Sequence, residues 1–403
     1  MERLAVPPEL IRWARKRTGV TSQVMAARWP RYPQWESGEA SPTPHQLEEL
    51  AHRTHTPLGF FYLPWAPSDE LDIADFRRES PRPQPPSLAL LETVHLCRLR
   101  QEWYRDEAMS RRAKPLKFIG RSQISQPVVE VAESIRSTVQ LGHSGCDSDA
   151  NAEASLEGLI SQVEAAGIMV MRCSPPRPLA DGEVEKVPEF RGLALSDPHA
   201  PLIYLHGIDT AAAQIFTLAH ELAHLWLGTS GISNPKETLV ADGKLIETFC
   251  NRVAAEALVP LSQFRDAWEM KADLVTQAAH LAAVFCVSRL VILRRAYDAG
   301  FVQPEDFHET YLKETERVEM DSILNGTATK PLTPLQRVGH RFAEALAGAL
   351  QAHKISEEEA LGLLGAATRA EVWAIGGSRD DAVYGHAEER GGEAPCHAHL
   401  FQD

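Results

Sequence analysis

The sequence has no Cys-x-x-Cys pair, and its six cysteines, Cys97, Cys146, Cys173, Cys250, Cys286 and Cys396, are scattered along the chain. A disulfide framework and a cysteine zinc finger are therefore not expected, whereas reduced thiols in a cytosolic chain are. Long apolar runs are also missing. The longest, Ala278 to Leu293, is cut by His280, Ser288 and Arg289 and falls short of the roughly 20 residues that cross a bilayer. Met1 to Pro8 shows no basic stretch leading into an apolar core, so no secretory leader is read there. The expectation is a cytoplasmic protein with no membrane partner. Positive charge is scarce: 41 Lys and Arg against 55 Asp and Glu leave a net charge of −14. This excludes a chain that coats nucleic acid along its whole length and leaves any DNA contact to a local segment. No internal repeat is visible.

What remains is ordinary globular material, with 44% apolar and 24% charged residues. A length of 403 residues predicts two or three domains. Up to Leu63 the pattern is one of short helices: Leu10, Ile11 and Ala14 mark one apolar face, Val24, Met25 and Ala27 a second, and Leu47, Leu50 and Ala51 another. Thr43-Pro44-His45-Gln46 starts the last of these with a capping box and a first-turn proline. The apolar stretch Leu58 to Leu63 closes this helical module. A basic, proline-rich connector follows, with Arg77, Arg78 and Arg82 beside Pro81, Pro83, Pro85 and Pro86. Residues 87–112 return to helical spacing through Leu91, Val94, Leu99 and Trp103, and Arg98, Arg100, Arg105, Arg111 and Arg112 read as a solvated face. Helices are predicted over 128–139 and 155–166. Strands are predicted at Ile168 to Met171, Arg191 to Leu195 and Leu202 to Leu205, with helix again to about residue 370. The stretch beyond, with Gly376-Gly377 and Gly391-Gly392, reads as a disordered tail. The domain expectation is 1–70, a connector and helix at 71–126, a mixed α and β domain at 127–312, a helical region at 313–372 and a tail at 373–403.

The chemistry concentrates between Asp209 and Gly228, a helix that Asp209 or Thr210 can cap and Gly228 can end. It contains His220-Glu221-Leu222-Ala223-His224. Two histidines four residues apart stand on one helical face and can reach one zinc ion. Glu221 beside them is placed to take a proton from water activated at the metal. A catalytic zinc site has three protein ligands and an open fourth position. Glu237, Asp242, Glu247 and Glu256 are candidates for the third. On the helix read from Leu245 to Leu258, Glu247 and Asn251 share a face and Glu256 points away. Glu247 is therefore the expected ligand, with Asn251 orienting a ligand histidine and Glu256 left to the surface or an ion pair. One zinc per chain follows.

At these residues the sequence resembles the ImmA/IrrE family of zinc metallopeptidases, in the branch with an N-terminal Xre-type helix-turn-helix. Glu189-Phe190-Arg191-Gly192 and Pro201-Leu202-Ile203-Tyr204 resemble its strand region, Phe216 to His224 its active-site helix, and Glu247, Asn251, Ala254, Ala255, Leu258 and Pro260 its following helix. Ala14-Arg15, Trp35-Glu36-Ser37-Gly38-Glu39, Pro42-Thr43 and Gln46-Leu47 resemble its DNA-binding-type module. The fold implied is multidomain and mainly α: a helix-turn-helix module, an α+β zincin-like, gluzincin-type metallopeptidase domain with a small sheet, and a helical C-terminal region. The function implied is a zinc-dependent endopeptidase that regulates transcription or stress responses by cleaving a repressor or antitoxin-like protein. The alternative is a non-catalytic regulator or antitoxin that keeps a zinc-binding fold.

Several further residues enter as expectations. Tyr204 and His206 are candidates for steadying the oxyanion, and an edge strand near Arg191 is a candidate for holding substrate by strand addition. Arg15, Arg17, Arg28 and Arg31 are candidate DNA contacts in a module that carries eight basic groups against six acids through Leu63. Arg28 to Gln34 holds Pro30 and Pro33 where a recognition helix belongs, a departure from the family pattern that leaves DNA binding and protein docking both open. Cys396, His397 and His399 read as part of the solvated tail.

Overall fold

The computed structural model describes residues 6–18, 20–54, 56, 58–66, 71, 73–76, 86–141, 149–173, 189–234, 245–269, 272–325 and 332–364. The basic connector residues 77–85, the ligand candidates Glu237 and Asp242, and the Cys396, His397 and His399 tail lie outside them. The described residues up to Arg341 form one compact unit and those from Phe342 to Leu364 belong to a second.

The chain begins with α1 (Pro8–Arg17), α2 (Ser22–Arg28), α3 (Tyr32–Ser37), α4 (Pro44–Arg53) and a 3-10 turn at Leu58–Tyr62. Leu10, Ile11, Ala14, Leu47 and Leu50 are buried together with Met25, Trp29, Tyr32 and Trp35. The face expected on α2 needs correction. Met25 is buried, but Val24 is 36% exposed and Ala27 is exposed. The packing that Val24 and Ala27 were expected to supply comes from the next turn, where the Trp29 and Trp35 ring centroids are 5.9 Å apart. Of the closing apolar stretch only Phe61 is fully buried, while Tyr62 is exposed. The Thr43 capping box forms as its sequence predicts. Helix α3 has six residues, with proline in its first turn and a left-handed Gly38 at its end.

A five-stranded sheet follows, built from β1 (Ala74–Asp75), β2 (Met169–Cys173), β3 (Gly192–Leu195), β4 (Leu202–His206) and β5 (Gly231–Ser233), in the order β1-β5-β3-β4-β2. Strand β3 is antiparallel to both of its neighbours, and the two edge strands are parallel to theirs. The expected edge strand near Arg191 is therefore corrected: β3 lies at the centre. Its second side is taken by β5, a three-residue strand too short to announce itself by alternation. Without a free edge, β3 cannot receive a substrate strand. The segment read as connector supplies β1 at one edge of the sheet. At the other edge, Gly339 lies against Val170 of β2.

Around the sheet pack α5 (Leu88–Ser110), α6 (Val128–Val139), α7 (Asp149–Ala165), α8 (Ala211–Leu227) and α9 (Leu245–Leu258). The chain continues through α10 (Leu261–Ala267), α11 (Leu274–Phe285), α12 (Arg289–Asp298), α13 (Pro304–Asn325), α14 (Pro334–Val338), α15 (His340–Gln351) and α16 (Glu357–Leu364). The face of α5 is shifted from the sequence reading. Leu90, Val94, Cys97, Tyr104 and Ala108 are buried, whereas Leu99 is 42% exposed. Arg100 is corrected from solvated to buried, at 2% exposure, with Nη1 3.4 Å from Met171 Sδ. The turn of helix that carries it lies against the sheet, because Gln101 Nε2 donates to Leu195 O and Ala200 O at 2.9 and 2.8 Å. Cys286 is disulfide-bonded, a correction to the expectation of reduced thiols throughout, while Cys97, Cys173 and Cys250 are free. Sequence spacing carries no information on which thiols meet in space. Among the described residues no single helix is long and apolar enough to cross a membrane.

Helices α8 and α9 run through the main core. Trp226 of α8 donates to Ser134 Oγ of α6 at 3.0 Å. Beyond α9, buried Arg295 is paired with Glu256 and donates through Nε to Val259 O at 2.9 Å. Removing one partner of such a pair strands a charge out of reach of water. Arg295→Leu is expected to cost about 3–5 kcal/mol, and the double variant with Glu256→Leu to recover a large part of it, read as shifts in the urea unfolding midpoint.

Candidate metal centre

Helix α8 is well bounded. Thr210 Oγ1 accepts from Ala213 N at its start, and left-handed Gly228 ends it. Its last carbonyls are taken by the loop after α5: Gly120 N donates to Leu225 O and Ser122 N to Trp226 O, at 2.9 and 2.8 Å. That approach needs glycine at position 228, since a Cβ there would stand 2.8 Å from Gly120 Cα. The helix is thereby fixed from both ends, and residues Gln214 to Trp226 are all buried.

One turn apart, His220 and His224 bring their Nε2 atoms to 3.0 Å from each other. Glu247 reaches in from α9, with Oε1 2.9 Å from His224 Nε2 and Oε2 3.4 Å from His220 Nε2. The three residues each offer a donor atom within 4.8 Å of the others. The ring orientations follow from what the far nitrogens do. His220 Nδ1 lies 2.9 Å from Asn251 Oδ1, and His224 Nδ1 lies 3.0 Å from Thr229 Oγ1. Thr229 directs its hydroxyl proton to His224 O at 3.3 Å, which leaves its oxygen as acceptor. Both Nδ1 atoms therefore carry protons, and both Nε2 atoms present lone pairs inward.

This set tests well against a metal. Glu247 Oε1 and Glu221 Oε2 are buried with no hydrogen-bond donor, although Glu247 Oε1 lies only 2.9 Å from an imidazole nitrogen. Two lone-pair atoms at that distance, inside the protein, call for a cation between them. Two imidazoles and a carboxylate are the donors of a zinc site with an open fourth position. Burial pushes the Glu247 carboxyl up, but His220 and His224 outweigh it and hold the group at about 2. Burial opposes a charge on His220, and Glu247 overcomes it to raise that pKa. At His224 burial prevails and the pKa falls. The site holds one negative charge and favours one positive charge beside it.

Glu221 is fully buried, and burial lifts its carboxyl to about 8 against the pull of His220 and the Ser233 hydroxyl. Oε1 contacts Ser233 Oγ of β5. Gly192 of β3 leaves room for it: a Cβ there would lie 2.8 Å from Glu221 Cδ and 2.7 Å from Thr217 Cγ2. Sequence reasoning had not singled out Gly192, Thr229 or Ser233 for a role. A glycine inside a strand signals close approach, so Gly192 was discoverable. Thr229 and Ser233 gave no signal, because each owes its place to a turn or a strand pairing.

The structure thus brings His220, Glu221, His224, Glu247 and Asn251 together. Glu256 is instead the ion-pair partner of Arg295. Arg191, Tyr204 and His206 gather around Phe190. Tyr204 OH donates to Cys173 O at 2.9 Å and its ring stacks on Phe190. His206 meets Phe190 edge-on and is held at about 4 by burial and by Arg191. Arg191 lies 3.8 Å from Asp209. In the N-terminal helices, Arg15 pairs with Glu36 at 2.7 Å and donates to Val20 O. Arg17 lies over the Trp13 ring, Arg28 pairs with Glu49 at 2.8 Å, and Arg31 is exposed. The partners of the two histidines set the site's affinity: Asn251→Ala and Thr229→Val are each expected to weaken zinc binding by about 10- to 100-fold, measured by competition with a chromogenic chelator.

Residues 163–297 match a family model, Peptidase_M78, described as the IrrE N-terminal-like domain. No curated protein matches the chain. The match runs from the end of α7 to the end of α12 and includes the His220, His224 and Glu247 cluster. This part of the chain is similar to the IrrE N-terminal-like domain, which suggests a metallopeptidase of the IrrE and ImmA type.

Proposed function

We propose that the protein is a zinc-dependent endopeptidase that cleaves a regulatory protein, a transcriptional repressor or an antitoxin-like partner. The observation that carries the reading is the pairing of three inward-facing donors with a carboxylate, Glu221, that is not needed to hold the metal. A purely structural zinc site has no use for that group. His220, His224 and Glu247 would hold the ion. When bound, zinc supplies a positive charge that acidifies water and polarises the scissile carbonyl. Glu221 Oε2, buried and without a donor, accepts the proton from water and returns it to the departing amine. Ser233 and Gly192 set where that carboxylate stands. Burial around Glu221 raises its proton affinity, which suits a group that must take up a proton and then give it away.

The narrow, regulatory range belongs to the same proposal and rests on the resemblance and on the N-terminal helices. With six residues in α3, and with Arg15 and Arg28 already engaged by Glu36 and Glu49, this module offers little to a DNA major groove. A protein partner suits it better.

New protein N-termini compared between cells carrying the wild type and cells carrying Glu221→Gln, with and without DNA damage, test the reading. A cleavage confined to the wild type is expected, with zinc content equal in both. Equal patterns in zinc-loaded cells would instead favour a regulator that keeps the metal fold without its chemistry. Gly192→Ala is expected to retain zinc and lose cleavage at least tenfold, because a Cβ at that position displaces Glu221.

A further inference from the structure

The metal donors are covered by the chain itself, and one of the covering groups comes from far upstream. Strand β1 pairs in parallel with β5, Ala74 opposite Gly231 and Asp75 opposite Ile232. Just beyond it, Phe76 N donates to Ile232 O at 2.9 Å. The Phe76 ring stacks on the His224 imidazole, with centroids 5.3 Å apart and planes 22° apart. Gly231 allows the approach, since a Cβ there would stand 2.6 Å from Phe76 Cδ2 and 3.1 Å from Ala74 O.

This contact is small compared with the rest of the sheet. Two residues pair, Ala74 is exposed, and Asp75 and Phe76 are half-buried, whereas β3, β4 and β5 are buried throughout. It also lies where it matters for a peptidase. The edge of β5 that β1 occupies is the sheet edge next to Glu221 and His224, and an extended peptide binds such an edge by adding a strand.

We propose that residues 73–76 are an internal competitor for the substrate: β1 holds the edge of β5 that a substrate strand would take, Phe76 screens His224, and release of this segment opens the site. The consequence for cleavage rests on the peptidase reading above, but the screening of the metal donors does not.

The test uses the full chain as wild type, Phe76→Ala, Phe76→Pro and Gly231→Ala. Zinc uptake by the metal-free protein and zinc release to excess chromogenic chelator are both timed. A screen that moves aside slows entry and exit alike, so each variant is expected to speed both several-fold with its zinc affinity unchanged. Unchanged rates in all three variants would overturn the proposal. So would faster release alone with weaker affinity, which would make Phe76 a support for His224. Gly231→Ala acts from the opposite strand and leaves Phe76 intact, so the answer does not hang on one substitution. Cleavage of an unfolded protein such as reduced casein is expected to rise in the same variants. Lower cleavage with unchanged zinc exchange would make Phe76 a wall of the substrate pocket and sink the proposal. If no form cleaves anything, the peptidase reading fails, while the exchange rates, measurable equally in a Glu221→Gln background, still decide on the screen.

Discussion

Two imidazole nitrogens and a carboxylate oxygen face one another inside this protein, and electron pairs held that close in a dry interior repel unless a positive charge sits among them. Much of the surrounding structure maintains that confrontation. Asn251 and Thr229 take the outward nitrogens of His220 and His224, so neither ring can turn its lone pair away. Helix α9 carries Glu247 and Asn251 together, so the residue that supplies the anion and the residue that orients His220 move as one body. The loop from Gly120 to Ser122 closes the end of α8. At the opposite end, buried Arg172 joins Gln214 of α8 to Glu153 and Glu157 of α7 at 2.9, 2.9 and 2.7 Å. With its ends fixed in this way, the helix has little freedom to relax the clustered donors. A metal ion bound by these donors would therefore be thermodynamically coupled to the folding of this domain.

The same organisation explains which parts could be read in advance. The His220, Glu221 and His224 constellation is local: helical periodicity converts four residues of sequence into one turn of space, so the motif is visible in the string. Glu247 with Asn251 was legible for the same reason, once a helix was placed over them. Thr43 and Gln46 were legible because a capping box is also local. Features that depend on tertiary neighbours were not. The face of α2 was misread because Trp29 and Trp35, outside the helix, took over the packing that Val24 and Ala27 were expected to provide. Arg100 was assigned to solvent because charge is a good guide to exposure only until a sheet closes over it. Strand β3 was placed at an edge because its second partner, β5, has three residues and lies beyond a helix.

Electrostatics separates the two halves of the larger unit more sharply than their composition does. In the N-terminal helices two basic side chains are paired with local acids, Arg15 with Glu36 and Arg28 with Glu49. Around the candidate metal centre several charges are buried: Arg295 pairs with Glu256, Arg172 with Glu153 and Glu157, while Glu247 faces His220 and His224. Charge counting along the sequence treats these situations alike; the difference lies in which charges have a partner.

The pairing of β1 with β5 joins positions on opposite sides of most of the domain, and this has a consequence for how the protein comes into being. Helices α1 to α4 can form from local contacts while the chain is still being made, but Ala74 has no strand to join until Gly231 has emerged and β3 has aligned β5. Contacts that close such long loops form late. Strand β1 is therefore expected to join the sheet after the more local packing of α8 on α9, the two helices that carry His220, His224 and Glu247.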